Sequence, residues 1–296
     1  MAQATCNGIT LEYETFGDAA DPAVLLIAGL GFQLIDWQTS FCERIAAAGH
    51  YVVRFDNRDI GLSEKLETLG TPDLPAILKV IVAGGTPKVP YFLKDMAADT
   101  VGLMDALGIA RAHIVGMSMG GMIAQQMAVF YPNRLISLTS MMSSSSNRFL
   151  PPPSAAANTV LMNAPSSQDL DDVIAFGLEV NDVIGSPGFR WDRVALMRHI
   201  RSCVERCYCP TGYLRQYTAV QASRLKEGAL AGVMAPTLVI HGKDDMLIPW
   251  QAGSETAELI KDARFELVPG MGHDLSPALS DHLAGIILPH LEASRP

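Results

Sequence analysis

Ala112-His-Ile-Val-Gly116-Met-Ser118-Met-Gly120-Gly121-Met-Ile-Ala-Gln-Gln-Met-Ala-Val-Phe-Tyr131 is the stretch whose reading decides the fold. Ala112 to Val115 reads as a short strand, and Met119 to Tyr131 reads as a helix stopped by Pro132. Between them, Gly116-Met-Ser118-Met-Gly120 fits Gly-x-Ser-x-Gly. A strand running into this pentapeptide and a helix leaving it provide the sharp turn that exposes a serine hydroxyl at the C-terminal edge of a sheet. The pentapeptide alone also fits a serine capping a glycine-rich helix start. The choice therefore rests on what surrounds it.

Working outward, Ile9 to Phe16 alternates apolar and polar residues, as a half-exposed strand does. Ala23 to Ala28 is a short, nearly continuous apolar run, expected of a strand buried on both faces, and Tyr51 to Phe55 reads as another buried strand. Helical spacing marks Phe41 to Ala48 and Leu93 to Leu107, and Leu135 to Met142 is a further strand. The alternation predicts a mostly parallel sheet with helices on both faces. It breaks at the serines and prolines between Ser143 and Pro153, and from Asn158 to Gly228 only helical patterns follow. Strands resume at Thr237 to His241 and Ala263 to Val268, before a final helix from Leu279 to Leu291. The expected organisation is an α/β core in two parts, residues 1–144 and 233–296, interrupted by a helical insertion at 145–232.

A serine needs a general base, and the base needs a carboxylate to fix its tautomer. Of seven histidines, His273 in Gly270-Met-Gly272-His273 follows a late strand, where glycines let an imidazole approach the sheet edge. Asp244 and Asp245 follow the strand before it, and spacing does not separate them. The oxyanion formed by attack on a carbonyl needs backbone N–H donors. Met119, after the serine, and Leu30, in the turn Gly29-Leu30-Gly31, are the expected pair.

Composition narrows the classes. The chain has 296 residues, 49% hydrophobic and 18% charged, with a net charge of −9. No basic stripe is present to neutralise phosphates, which argues against a nucleic-acid partner. No apolar run is long enough to span a membrane, and the first residues lack the pattern of a signal peptide. Five cysteines, an odd number in a large chain, predict reduced thiols and a cytoplasmic protein.

Together these residues resemble the α/β-hydrolase fold family over nearly the whole chain. Ala28-Gly29-Leu30 stands in place of the family's His-Gly-x element, and Asp56-Asn-Arg-Asp59-Ile-Gly61-Leu-Ser63 in place of its Asp-x-Arg-Gly-x-Gly-x-Ser segment, with Asp59 where a glycine is usual. Within the family the chain is similar to small bacterial esterases and anthracycline methyl-ester hydrolases. The resemblance implies Asp245 rather than Asp244 as the acid. It implies a cofactor-free carboxylic-ester hydrolase acting through an acyl-enzyme on Ser118, on small to medium hydrophobic esters. It also implies that residues 145–232 form a cap. Phe149, Trp191 and Tyr213 within it are candidates to line an apolar substrate pocket or to pack the cap core, and Trp37, outside it, to face the pocket or anchor its helix. Rival readings are a cofactor-free perhydrolase or haloperoxidase, a lactonase, a carbon–carbon bond hydrolase, and a non-catalytic small-molecule-binding protein. Monomer and homodimer both remain open. His199, Cys203 and Cys207 share a helix face, with Cys209 beyond, but their spacing matches no standard zinc signature; buried reduced thiols and no metal are expected.

Overall fold

The computed structural model describes residues 1–147 and 149–295. Its strands are β1 (Ala2–Cys6), β2 (Ile9–Phe16), β3 (Ala23–Ile27), β4 (Tyr51–Phe55), β5 (Ala112–Met117), β6 (Leu135–Met141), β7 (Thr237–Gly242) and β8 (Arg264–Val268). They form one sheet in the order β1-β2-β4-β3-β5-β6-β7-β8. β1 and β2 run antiparallel to their neighbours, and every other pairing is parallel. The helices are α1 (Thr39–Ala47), α2 (Leu74–Val82), α3 (Leu93–Ala106), α4 (Met119–Phe130), α5 (Ala155–Met162), α6 (Leu170–Ile184), α7 (Arg193–Arg206), α8 (Pro210–Ala222), α9 (Gln251–Leu259) and α10 (Pro277–Ala293).

β3 shows why a central strand can read as an unbroken apolar run. Successive side chains point to opposite faces. Leu25 and Ile27 enter a core with residues of α3 and α4, while Val24 and Leu26 pack with residues of α1 and α10. Both faces are covered, and in β3 apolar side chains fill both. β3 lies between β4 and β5, so the chain leaves it to one side and later returns on the other. Such a reversal leaves a crevice at the C-terminal ends of the two strands, here β3 and β5. Ile27 pairs with Gly116. That register sets the loop after β3 beside the turn after β5.

Among the described residues between β6 and β7 there are helices and no other strand after Met141. Two arginines, Arg215 fully buried and Arg206 partly so, tie this segment to the turn that follows β4. Arg215 of α8 places Nη2 at 2.8 Å and Nε at 3.0 Å from the carboxylate of Asp59. Tyr91 Oη and the Leu66 N–H also donate to that carboxylate. Asp59 has φ +72°, a left-handed conformation that glycine adopts freely and aspartate tolerates better than most residues. An acidic side chain there lets one turn both reverse the chain and anchor α8. Arg206 of α7 pairs with Asp56 at 2.7 Å, and Asp56 Oδ1 also accepts from the Leu34 N–H. Removing one member of a fully buried pair leaves an uncompensated charge. Arg215→Met should lower stability by about 3–5 kcal/mol. Urea unfolding reads this directly, and a midpoint matching the parent protein would show that the pair carries no such weight.

β1, α2 and α9 lack a strong sequence pattern, each for its own reason. β1 is short and mostly exposed at the sheet edge. α2 is apolar on nearly every side and starts from an Asp73 cap, whose side chain accepts from the Ala76 N–H. α9 is built from small and polar residues, with only Ala252, Gly253, Thr256 and Ala257 buried.

Candidate active site

β5 ends by driving the chain through a strained turn. Ser118 has φ +54° and ψ −121°. Few non-glycine residues hold such a conformation unless the surroundings enforce it. Two glycines make the turn possible: a Cβ on Gly116 would lie 2.2 Å from the Gly120 carbonyl oxygen, and one on Gly120 would lie 2.1 Å from that of Ile27. The Ser118 N–H donates to Met141 O of β6, and its carbonyl accepts from Gly121 N–H and Ser143 Oγ. With its backbone clamped this way, the side chain points off the sheet edge.

The loop after β8 brings His273 to it. Nε2 of His273 lies 2.9 Å from Ser118 Oγ, and Nδ1 lies 2.7 Å from Asp245 Oδ2. A carboxylate only accepts, so Nδ1 carries the proton, and in the neutral ring Nε2 turns its lone pair on the serine hydroxyl. The His273 N–H donates to Ile184 O of α6, and the Gly272 N–H to Ser186 Oγ. The end of α6 therefore holds the histidine loop in place. Asp274, next in sequence, turns away to accept from Ser186 and Asn181. Burial pushes the Asp274 carboxyl above its usual range.

Asp245 sits in the turn after β7. Its Oδ1 accepts from the N–H groups of Leu247 and Ile248 at 2.9 and 2.8 Å. Burial by itself would raise its pKa; the charge of His273 and hydrogen bonds from His241 and His273 override burial and hold the carboxyl well below the usual range. It stays ionised at neutral pH. His241 stands behind it, with Nε2 at 2.8 Å from Ile248 O and 3.4 Å from Asp245 Oδ2. The carbonyl requires the proton on that nitrogen, so His241 is a second donor toward Asp245. Asp244 points elsewhere: its Oδ2 accepts from the Gly270 N–H at 2.8 Å and tethers the loop that carries His273.

The loop after β3 closes over the serine. A Cβ on Gly29 would lie 3.3 Å from that of Ser118. Met119 is the first residue of α4, so its N–H has no acceptor within the helix. Among the described residues neither that N–H nor the Leu30 N–H has a hydrogen-bond partner outside regular elements. Gln216 of α8 braces this loop. Its Oε1 accepts from the Gly31 N–H at 3.0 Å, and its Nε2 donates to Arg58 O at 2.8 Å. Asn57 adds a hydrogen bond to Ala28 O.

Ser118 and His273 open into a cavity of about 940 Å³, roofed by α5, α6, α7 and α8. Leu30, Met119, Trp191 and Tyr213 line it, and apolar side chains such as Met122, Phe176 and Leu214 dominate its wall. Two residues expected at the pocket are not there. Trp37 is fully buried beneath the sheet, stacked on Phe41 at 5.5 Å, because its short 3-10 turn directs it into the core shared by α1 and α10. Phe149 is 81% exposed and lies outside the cavity lining. The run Pro151-Pro-Pro153 after it does line the cavity.

A sequence profile of the alpha/beta hydrolase fold matches residues 22–277. The chain belongs to that family. This alpha/beta hydrolase is 28% identical to a rhodomycin D methylesterase of Streptomyces sp. (strain C5), over 98% of the chain and 97% of the relative. It is 27% identical to one from Streptomyces peucetius over the same shares. Among solved structures it is similar in fold to the enol-lactonase of Burkholderia xenovorans LB400, with a TM-score of 0.73 at 22% identity, covering 98% of this chain and all of that one. Among the described residues of this hydrolase, no helix is long and apolar enough to cross a membrane.

Several residues around the site escape sequence reading. His241, Gln216 and Asp36 carry no local motif. His241 shares a turn with Asp245 and was readable as a neighbour, but nothing local shows its ring facing the carboxylate. Gln216 sits 185 residues from the glycine it holds.

Proposed function

We propose that this alpha/beta hydrolase cleaves carboxylic esters with a hydrophobic body. The observation that carries the reading is the Ser118–His273–Asp245 relay at the floor of a large apolar cavity. Ser118 Oγ attacks the acyl carbon as His273 Nε2 takes its proton. Asp245 holds Nδ1–H and stabilises the imidazolium. The Leu30 and Met119 N–H groups receive the oxyanion, each donor worth roughly 3 kcal/mol in the transition state. His273 then protonates the departing alcohol. It next takes a proton from water, whose oxygen attacks the acyl carbon; the bond to Ser118 Oγ then breaks as His273 returns that proton to it, releasing the acid and restoring the serine.

Residues 145–232 act as the cap, and helices α5 to α8 select the ester through the apolar wall they give the cavity. At about 940 Å³ the cavity is near the upper end of ordinary ligand pockets, roughly 300–1,000 Å³. It therefore accommodates a body much larger than a short acyl chain. The methylesterase names of the Streptomyces relatives support ester hydrolysis. The five cysteines are all free, which supports a cytoplasmic setting.

The test is turnover of p-nitrophenyl esters of graded acyl length together with fluorophosphonate labelling. Turnover and labelling at Ser118 are expected. A protein that neither turns over any of these esters nor takes up the probe would not be a serine esterase.

A further inference from the structure

α7 brings two residues of its inner face to a carboxylate 163 residues away in sequence. His199 Nε2 lies 2.8 Å from Asp36 Oδ1. Cys203 Sγ lies 3.9 Å from the same oxygen and 3.7 Å from the same nitrogen. Asp36 and Cys203 thus converge on one imidazole nitrogen, which differs from a nucleophile–base–acid relay, where the two partners occupy opposite ring nitrogens. A point equidistant from the three atoms lies roughly 2 Å from each, close to a zinc–nitrogen or zinc–oxygen bond length and a few tenths of an ångström short of the roughly 2.3 Å of a zinc–thiolate bond.

We propose that Asp36, His199 and Cys203 form a three-ligand site for a zinc-class divalent cation on the wall of the cavity. The ligand set of one carboxylate oxygen, one imidazole and one thiolate suits a borderline-soft ion. Carboxylate and thiolate balance its two charges. The Cys203 thiol proton, and the His199 proton where the ring is protonated, pass to solvent on binding. The nearby Arg206 is already paired with Asp56.

The ligands are oriented from behind. The Gln33 N–H donates to Asp36 Oδ2 at 2.7 Å and leaves Oδ1 for the ion. Trp191 stacks on the His199 ring at 5.4 Å. Gln33 Nε2 donates to the carbonyl oxygens of Cys203 and Cys207 and fixes the end of α7. Supports of this kind are what metal sites use to hold their ligands. All three ligand residues line the cavity, so the fourth coordination position faces it and takes water or a donor group of a bound molecule.

The full chain, stripped with a chelator, is titrated with cobalt(II) and, separately, with zinc against a chromogenic chelator. One equivalent of each is expected, with a thiolate-to-cobalt charge-transfer band. Cys203→Ser removes that band and Asp36→Asn weakens uptake, whereas Cys207→Ser, Cys209→Ser and Ser118→Ala keep both. Because Ser118→Ala retains the metal, the result is independent of the esterase reading. No stoichiometric uptake, or uptake indifferent to Cys203→Ser and Asp36→Asn, overturns the site. Either result would leave His199 and Asp36 as a simple ion pair.

Discussion

Replacing Ser118 with alanine is expected to lower kcat for a p-nitrophenyl ester by about a million-fold, the loss seen when the nucleophile of such a relay is removed. The hydroxyl has one hydrogen-bond partner among the described residues, Nε2 of His273. Its loss therefore disturbs little else. Alanine and serine bear the φ of +54° equally, since both carry a Cβ, and the clamps on the turn come from backbone groups and glycines. The melting temperature should hardly move. A purified S118A protein retaining activity within tenfold of the parent would displace Ser118 from the mechanism.

The second large effect is expected at Asp245. In Asp245→Asn the Leu247 and Ile248 N–H groups still need an acceptor, so the amide oxygen takes their place in the turn. The amide nitrogen is then left facing His273 Nδ1. Two donors cannot face each other, so the imidazole proton moves to Nε2 and the lone pair is withdrawn from Ser118. A wrong tautomer of this kind lowers kcat by about 10⁴-fold. Asp244→Asn makes the contrasting control. Its remaining oxygen still accepts from the Gly270 N–H, and kcat should stay near that of the parent. Measuring the two variants side by side separates the adjacent aspartates; the opposite ranking would exchange their roles.

How much of this was readable in the sequence depended on how local the signal was. β4 spans the same residues in sequence and structure because five apolar or buried residues end abruptly in Asp56-Asn-Arg. α4 follows from its apolar content and Pro132, β7 from the apolar run Leu238 to Ile240, and β8 from the alternation of Phe265 and Leu267 with Arg264 and Glu266. The sequence placed Ser118, His273 and the Asp244–Asp245 pair each just after a strand. Spacing could not separate the two aspartates, because their difference lies in which way each side chain leaves the turn; only the family resemblance pointed to Asp245. Trp37 and Phe149 misled for a related reason. An aromatic residue near a site belongs equally to a core or a surface until the backbone directs it, and here it directs one into each. The contacts between α8 and the glycine loop, and between α7 and Asp36, join residues more than 150 positions apart. No periodicity or motif records them.

The double anchorage of α8 has a bearing on how the substrate range of this enzyme can be altered. Gln216 and Arg215 fasten that helix to the loop over Ser118 and to the turn after β4, so it behaves as part of the frame around Ser118. α5 and much of α6 contribute wall without such fastenings. Libraries confined to Val160, Val173, Phe176 and Val180 can therefore reshape the chamber while the Leu30 and Met119 N–H groups, the proposed oxyanion donors, stay in register. Changes in the inner face of α8 would alter specificity and rate together, and selection for one would be paid in the other.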